Sequence, residues 1–476
     1  MAFTVFDTMA RAYREFVPIE GRHVRMYTCG PTVYDYAHIG NFRAYVFEDI
    51  LRRYLKYAGF AVTQAMNLTD VDDKTIRRSR EAGVSLPDYT AKFKQAFFED
   101  LKTLNVEPAE RYPAATDHIP EMIRLIERLL ERGFAYRSDD GCVYFSIAKF
   151  GAYGRLAHLD MSGLKPGARV AHDEYEKENL ADFALWKAWD EQDGDVAWDS
   201  PWGRGRPGWH IECSAMSMKY LGESFDLHTG GVDNIFPHHE DEIAQSEAAT
   251  GQPFVKYWMH CAHLVVDGRK MSKSLGNFHT LRDVVGRGYT GREIRYLLAA
   301  AHYRQSLNFT FDALDGARAS LARLDEFQGR LREVGATAGS VQPSASGSPP
   351  PAWATAAAED FRRAMDHDLS ISEALKALFD IAREGNRAMD AGVLTPSQAD
   401  AVLGLLDHLD LVLGFLKRPE EQPDEDALKR LDARQQARTA RNWGEADRIR
   451  GELLARGWVV QDTPAGPKLK RRQGAL

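Results

Sequence analysis

Cysteine is scarce in this chain: Cys29, Cys142, Cys213 and Cys261 are the only four among 476 residues. So few thiols exclude a disulfide scaffold and suit a reducing cytoplasm, where they stay free for metal or chemistry. No run of about 18 apolar residues occurs, which excludes a membrane span. The first eight residues, MAFTVFDT, lack the basic start and apolar stretch of a secretory signal. A cytoplasmic protein without membrane attachment is therefore expected. Positive charge is not in excess either. The net charge is −8, which argues against a protein that coats nucleic acid without specificity and confines any such contact to a local basic face. No internal repeat is evident. What remains is an ordinary composition, 44% apolar, in a chain long enough for about three domains, each with a core.

Two short stretches more than two hundred residues apart stand out: His38-Ile39-Gly40-Asn41 and Lys270-Met271-Ser272-Lys273-Ser274. The first sits in a βαβ pattern. His23 to Gly30 reads as a strand, Phe42, Val46, Ile50, Tyr54 and Tyr57 recur at helical spacing, Gly59 is a C′ stop, and Phe60 to Leu68 reads as a second strand. His38 and Gly40 thus fall at a helix N-terminus, where free N–H groups and the helix dipole attract phosphate. Lys270 and Lys273 lie on a loop bordered by Gly268 and Gly276. Such a loop is either solubilising charge or a mobile cover that meets β- and γ-phosphates with point charges. Together the stretches suggest one ATP site built from two distant segments.

A second strand–helix–strand pattern runs from Asp226-Leu-His-Thr-Gly-Gly231 through a helix starting near Pro237 to a strand over Trp258–Val266. Its turn is either an ordinary one or a nucleoside pocket, with Gly230 and Gly231 admitting adenine and Asp233 gripping a hydroxyl or amine. His238 and Glu242 are four apart and share one helix face, so imidazole and carboxylate can converge on an ion. With Cys29 and Cys213 they form a donor set that favours zinc over harder or redox-active metals. Singly, each has a plainer reading, since a lone cysteine is usually a small core residue and His-x-x-x-Glu a surface pair.

Five blocks in order carry a wider resemblance: Tyr27 to Asn41 (YTCGPTVYDYAHIGN), Asn67 to Lys74 (NLTDVDDK), Gly208 to Met216 (GWHIECSAM), Pro237 to Ser246 (PHHEDEIAQS) and Lys270 to Asn277 (KMSKSLGN). The chain resembles the bacterial-type cysteinyl-tRNA synthetases, a class I aminoacyl-tRNA synthetase family, across nearly its whole length. The resemblance implies an α/β fold: a Rossmann-like catalytic domain in two halves (1–105 and 206–266) around a connective insertion (106–205). A region carrying the KMSKS loop and contacting the tRNA stem (267–335), a linker (336–354), a helical-bundle anticodon-binding domain (355–417) and a small basic C-terminal segment (425–476) would follow. That segment holds twelve Lys/Arg against seven Asp/Glu, with Arg434, Arg438, Arg441 and Trp443 offering charge and a stacking surface for unstacked bases.

By the same resemblance the zinc ligands fall on Cys29, Cys213, His238 and Glu242. The cysteine pocket falls on Thr69 and Trp209 beside Cys29. The ATP signature falls on His38 and Gly40, and the mobile lysine on Lys273 with Lys270 beside it. Asn41 departs from the generic signature, which has a second histidine there; its amide still donates a hydrogen bond but carries no charge. Cys142 and Cys261 match no ligand and read as packing residues. The implied reaction is zinc-dependent activation of L-cysteine with ATP and Mg²⁺, then transfer to the terminal adenosine of tRNA(Cys), by a monomer. Two alternatives stay open at this point: a ligase passing cysteine to an amino sugar in mycothiol synthesis, and a non-catalytic zinc- or RNA-binding paralogue.

Overall fold

The computed structural model describes residues 2–160, 169–170, 181–272, 275–336, 349–417, 425–463 and 466–471. Its centre is a four-stranded parallel sheet. Strands β1 (His23–Thr28), β2 (Ala61–Met66), β3 (Phe225–Gly231) and β4 (Val255–Cys261) lie in the order β4-β3-β1-β2. Val24, Met26, Tyr27 and Thr28 are all buried on β1, as a parallel strand covered on both faces requires. Helix α1 (Ile39–Tyr57) crosses from β1 to β2 and buries Phe42, Val46, Ile50 and Leu51. Gly59 follows it with φ +86°, the left-handed C′ conformation expected of it. On the other side of β1, α3 (His238–Thr250) joins β3 to β4. The two crossovers run in opposite directions from the middle of the sheet. The crevice between the carboxyl ends of β1 and β3 is therefore a topological switch point, where open α/β sheets bind ligands.

Between the halves lies the insertion. Helix Ile119–Glu131 packs beside a mixed sheet whose central strand, Asp182–Ala188, pairs with Val143–Phe145 and Gly205–Pro207. Trp186 and Trp202 stack edge-on at 5.8 Å inside it, whereas Trp189 is exposed. Gly205–Pro207 completes this sheet, pairing antiparallel with Trp186–Ala188. Helix α2 (Trp209–Leu221) then returns the chain to the centre.

The strand expected over Trp258–Val266 is broken in two. β4 ends at Cys261, and Leu264–Val266 pairs with Leu307–Phe309 in a separate small sheet. Helices α4 (Gly291–Ala300), α5 (Phe311–Ala336), α6 (Ala352–Asp366), α7 (Ile371–Asp390) and α8 (Pro396–Leu413) follow. The expected linker is thus shorter at its end than composition suggests, because α6 begins at Ala352, directly after Pro351 at its N-cap.

A buried charge ties these helices to the nucleotide-binding half. Arg295 on α4 is fully buried, pairs with Asp49 of α1 at 2.5 Å, and donates to the carbonyls of Leu413 (2.8 Å) and Leu104 (3.1 Å). Removing one partner of such a pair leaves the other groups uncompensated in a dry interior. Arg295→Met should therefore cost about 3–5 kcal/mol, read as a lower urea midpoint for the catalytic unit.

Residues 417–476 form a compact unit of their own. Helices Glu425–Thr439 and Trp443–Ala455 and a hairpin of Trp458–Thr463 with Gly466–Arg471 enclose Ala427, Leu431, Ile449, Leu453, Trp458 and Val460. This corrects one expectation. Arg434 is buried and holds Asp462 at 3.1 and 3.2 Å, and Arg438 holds the same carboxylate at 2.5 Å. Arg434 is a structural tie rather than a surface for bases. Trp443, 59% exposed, stays in reach of a partner.

Candidate active site

The two signature stretches meet. Ile39 N donates to His279 O at 3.0 Å, and a Cβ placed on Gly40 would lie 3.1 Å from the terminal methyl of Met271. Asn277 ties the loop ends, accepting from Ser272 N at 2.8 Å and donating to Lys270 O at 3.2 Å. Lys270 is exposed on the short strand Arg269–Lys270. Lys273 lies outside the described residues.

His38 caps α1. Its Nδ1 accepts from Asn41 N, while Asn41 Oδ1 accepts from His38 N, each at 3.1 Å. This capping box gives Asn41 a structural duty where the generic signature has a histidine. It also sets the tautomer: an accepting Nδ1 leaves the proton on Nε2, which can donate. At the end of β3, a Cβ on Gly230 would fall 2.9 Å from His239 Cε1, and one on Gly231 would fall 2.3 Å from Asp233 Oδ1. The glycines make room for His239 and Asp233 as well as for a ligand.

Under this floor the donor atoms converge. One ligand atom each from Cys29, His238, His239 and Glu242 lies within 4.8 Å of all the others, and all four residues are buried. Cys213, which the sequence also placed among the ligands, is not one of these four, but it is buried and interacts electrostatically with Cys29, Glu242 and His238. Glu242 Oε1 stands 3.1 Å from His238 Nε2, yet it is buried and makes no hydrogen bond. Close approach without alignment is what two ligand atoms show when both face a third centre. The electrostatics agree. Burial pushes the Cys29 thiol up and lifts Cys213 well above its ordinary value, with Cys29 adding to the shift. Burial opposes a charge on His238, but Cys213 and Glu242 outweigh it and raise the imidazole to about 9. The pocket is short of positive charge, and the donor set fits a dication.

Sequence reasoning missed the histidine shell. His238 Nδ1 lies 3.0 Å from His210 Nδ1, and His210 Nε2 lies 3.4 Å from Asp241. His239 meets Cys29 Sγ through Nε2 at 3.2 Å and His260 through Nδ1 at 2.8 Å. His228 Nε2 contacts the second oxygen of Glu242 at 3.0 Å. Burial, reinforced by neighbouring imidazoles, holds His239 well below the usual range, and burial pulls His260 down to about 3. Both are neutral at neutral pH, as orienting partners of metal ligands must be. One signal was present: His239 is three residues from Glu242 and His238 four, so both share its helix face.

Trp209 and Thr69 flank the cluster from different elements. The Trp209 ring stacks on His238 at 4.4 Å and 15°. Thr69, after β2, is buried and donates its hydroxyl proton to Glu212 at 3.0 Å. Asn67 donates to the same hydroxyl at 3.1 Å and accepts from Gly30 N at 2.8 Å.

Comparison with known proteins now bears on this geometry. Residues 15–319 match the model of the tRNA synthetases class I (C) catalytic domain. The cysteine–tRNA ligase of Protochlamydia amoebophila is 50% identical over 474 residues, 98% of each chain. The chain belongs to the cysteine–tRNA ligase family. That of Brachyspira hyodysenteriae is 49% identical, over 98% of this chain and 99% of its own. Residues 360–417 match a DALR domain and 418–473 the cysteinyl-tRNA ligase anticodon binding domain. The last match disfavours an amino-sugar ligase, which needs no anticodon reader. The fold is that of a class I synthetase: methionyl-tRNA synthetase of Mycobacterium tuberculosis with methionyl-adenylate superimposes with TM-score 0.59 at 16% identity, covering 82% of this chain and 90% of that one. As a cysteine–tRNA ligase it is an enzyme joining cysteine to tRNA.

Proposed function

We propose that this ligase selects L-cysteine through a zinc ion held by Cys29, Cys213, His238 and Glu242, forms cysteinyl-adenylate, and passes the cysteinyl group to the 3′ adenosine of tRNA(Cys). What supports this is the convergence of the Cys29 thiol, the His238 and His239 imidazoles and the Glu242 carboxylate in one buried group, with the buried Cys213 thiol electrostatically coupled to Cys29, Glu242 and His238. Bound there, zinc would supply a thiophilic Lewis acid that prefers a thiolate to a hydroxyl. His239 is a further donor within the same group, its Nε2 on Cys29 Sγ at 3.2 Å and its Nδ1 on His260 at 2.8 Å.

The chain's own residues do the rest. Trp209 walls the pocket and Thr69 holds the polar end of the amino acid. His38 Nε2–H and the positive end of the α1 dipole meet the α-phosphate where charge develops, and Gly40 keeps that approach open. Gly230, Gly231 and Asp233 line the nucleoside end, with Asn41 fixing His38. Lys270 and Lys273 neutralise the departing pyrophosphate. Mg²⁺ accompanies ATP. The enzyme acts as a cytoplasmic monomer; no described helix is long and apolar enough to cross a membrane.

Cysteine-dependent ATP–pyrophosphate exchange tests the reading. Cysteine should support exchange with a kcat/KM at least about 10⁴-fold above that for serine, with about one zinc per chain by elemental analysis. Comparable exchange with both amino acids would overturn it.

A further inference from the structure

The His38 imidazole is held by several contacts, and one of them comes from the far end of the lysine loop. Its Nδ1 accepts from Asn41 N at 3.1 Å. Gly40 lies against the ring, where a Cβ would come 3.0 Å from Nδ1 and 3.1 Å from Cε1. The ring of Phe278 packs on it as well, with centroids 5.3 Å apart and planes at 83°. That separation and angle are those of an edge-to-face pair, in which the positive edge of one ring meets the negative face of the other.

The main chain makes Phe278 a fixed support. It directly follows Asn277, which closes the loop by accepting from Ser272 N and donating to Lys270 O. One residue beyond it, His279 O accepts from Ile39 N at 3.0 Å, and Thr280 pairs with His38 as an antiparallel bridge. The backbone is thus tied to the loop on one side of Phe278 and to the start of α1 on the other. A cap bond fixes where Nδ1 sits but lets the imidazole swing about that point. A second ring packed against it removes that freedom. Phe278 is only half-buried, so core packing does not account for an aromatic side chain at this position.

Building on the function proposed above, we infer that Phe278 is a positioning residue for adenylate formation, holding the His38 ring so that Nε2–H stays aimed at the α-phosphate. It acts through His38 rather than on the nucleotide. A donor displaced by about 1 Å loses about a hundredfold in rate, so the support matters as much as the donor. Because Phe278 sits at the end of the lysine loop, one segment sets both the imidazole and the loop lysines. A loop lifted from α1 takes the support from His38 as it withdraws those cations. The group that meets the α-phosphate and the groups that meet the leaving pyrophosphate are therefore brought into place together.

The test is a double-mutant cycle in cysteine-dependent pyrophosphate exchange, run on the full-length enzyme. Phe278→Leu keeps an apolar side chain and removes the ring. It should lower kcat about 10- to 100-fold, with KM for cysteine and for ATP within about threefold of the wild-type values. Phe278→Tyr, which keeps the ring, should stay within about threefold of wild type in kcat. His38→Asn retains a good N-cap acceptor for α1 and removes Nε2. In that background Phe278→Leu should change kcat by no more than about twofold, because its effect passes through the missing imidazole. A side chain that merely shaped the loop would lower kcat equally in both backgrounds. That result would overturn the inference, as would a leucine variant as fast as wild type or a tyrosine variant no faster than the leucine one. If thermal melting shows the leucine variant to be unstable, Phe278→Met takes its place under the same criteria. Undiminished exchange in His38→Asn would instead sink the role given to His38 in the proposed function.

Discussion

Cys213→Ser is expected to abolish binding of the proposed zinc and, with it, activation of cysteine. The expected result is a fall in bound zinc from about one per chain to a small fraction, with cysteine-dependent pyrophosphate exchange down by at least about a hundredfold. The reason lies in the environment of the thiol. Cys213 is buried, and burial together with Cys29 already holds its proton tightly. A dication can displace that proton from sulfur because the thiolate it gains is soft and strongly bound. It gains far less from a serine hydroxyl, which stays protonated at neutral pH and is a poor ligand for a thiophilic ion. The fold should survive, since serine is nearly isosteric and α2 is anchored by Ile211, Ala215 and Met216 in the core. Elemental analysis, thermal melting and exchange kinetics on one preparation separate these outcomes. Undiminished exchange after full metal loss would show that the ion has no part in activation.

Removing residues 417–476 should split the two half-reactions. Because these residues form a compact unit with their own core, pyrophosphate exchange should stay within about threefold without them. Charging of tRNA should suffer much more. A tRNA held at the active site and at a second, tethered unit binds with high effective concentration, and losing one hold should raise its KM by about a hundredfold or more. Trp443→Ala, at the exposed start of its helix, should reproduce part of that loss without unfolding the unit, whereas Arg434→Ala should lower the unit's stability because it breaks the tie to Asp462. Charging kinetics unchanged by the deletion would assign this unit another task.

The parts of the fold that the chain spells out locally were the readable ones. The βαβ pattern at His23–Met66 is set by apolar spacing, a cap at His38 and a left-handed Gly59, all within a few residues of each other. The pairing of His238 with Glu242 follows from helix geometry alone. What could not be read depends on tertiary approach. His210, His228 and His260 sit on three different elements, and nothing in their spacing announces that they surround one cluster. Glu212 looks like any helical glutamate until Thr69 is seen across from it. Composition likewise cannot tell an arginine locked onto Asp462 from one facing solvent, which is why Arg434 was misread. The broken strand at Cys261 was missed because Ala262 and His263 interrupt hydrogen bonding without interrupting the apolar pattern, Ala262 N turning to Tyr303 O.

One glycine limits how this enzyme could be re-engineered. A Cβ on Gly30 would come within 1.8 Å of the Asn67 carbonyl, so the main chains that follow β1 and β2 are in direct contact and leave no room for a side chain between them. That wall carries Cys29 and Thr69. A variant meant to accept a bulkier amino acid has no slack on this side of the cavity, and space must be carved from the helix carrying Trp209 instead.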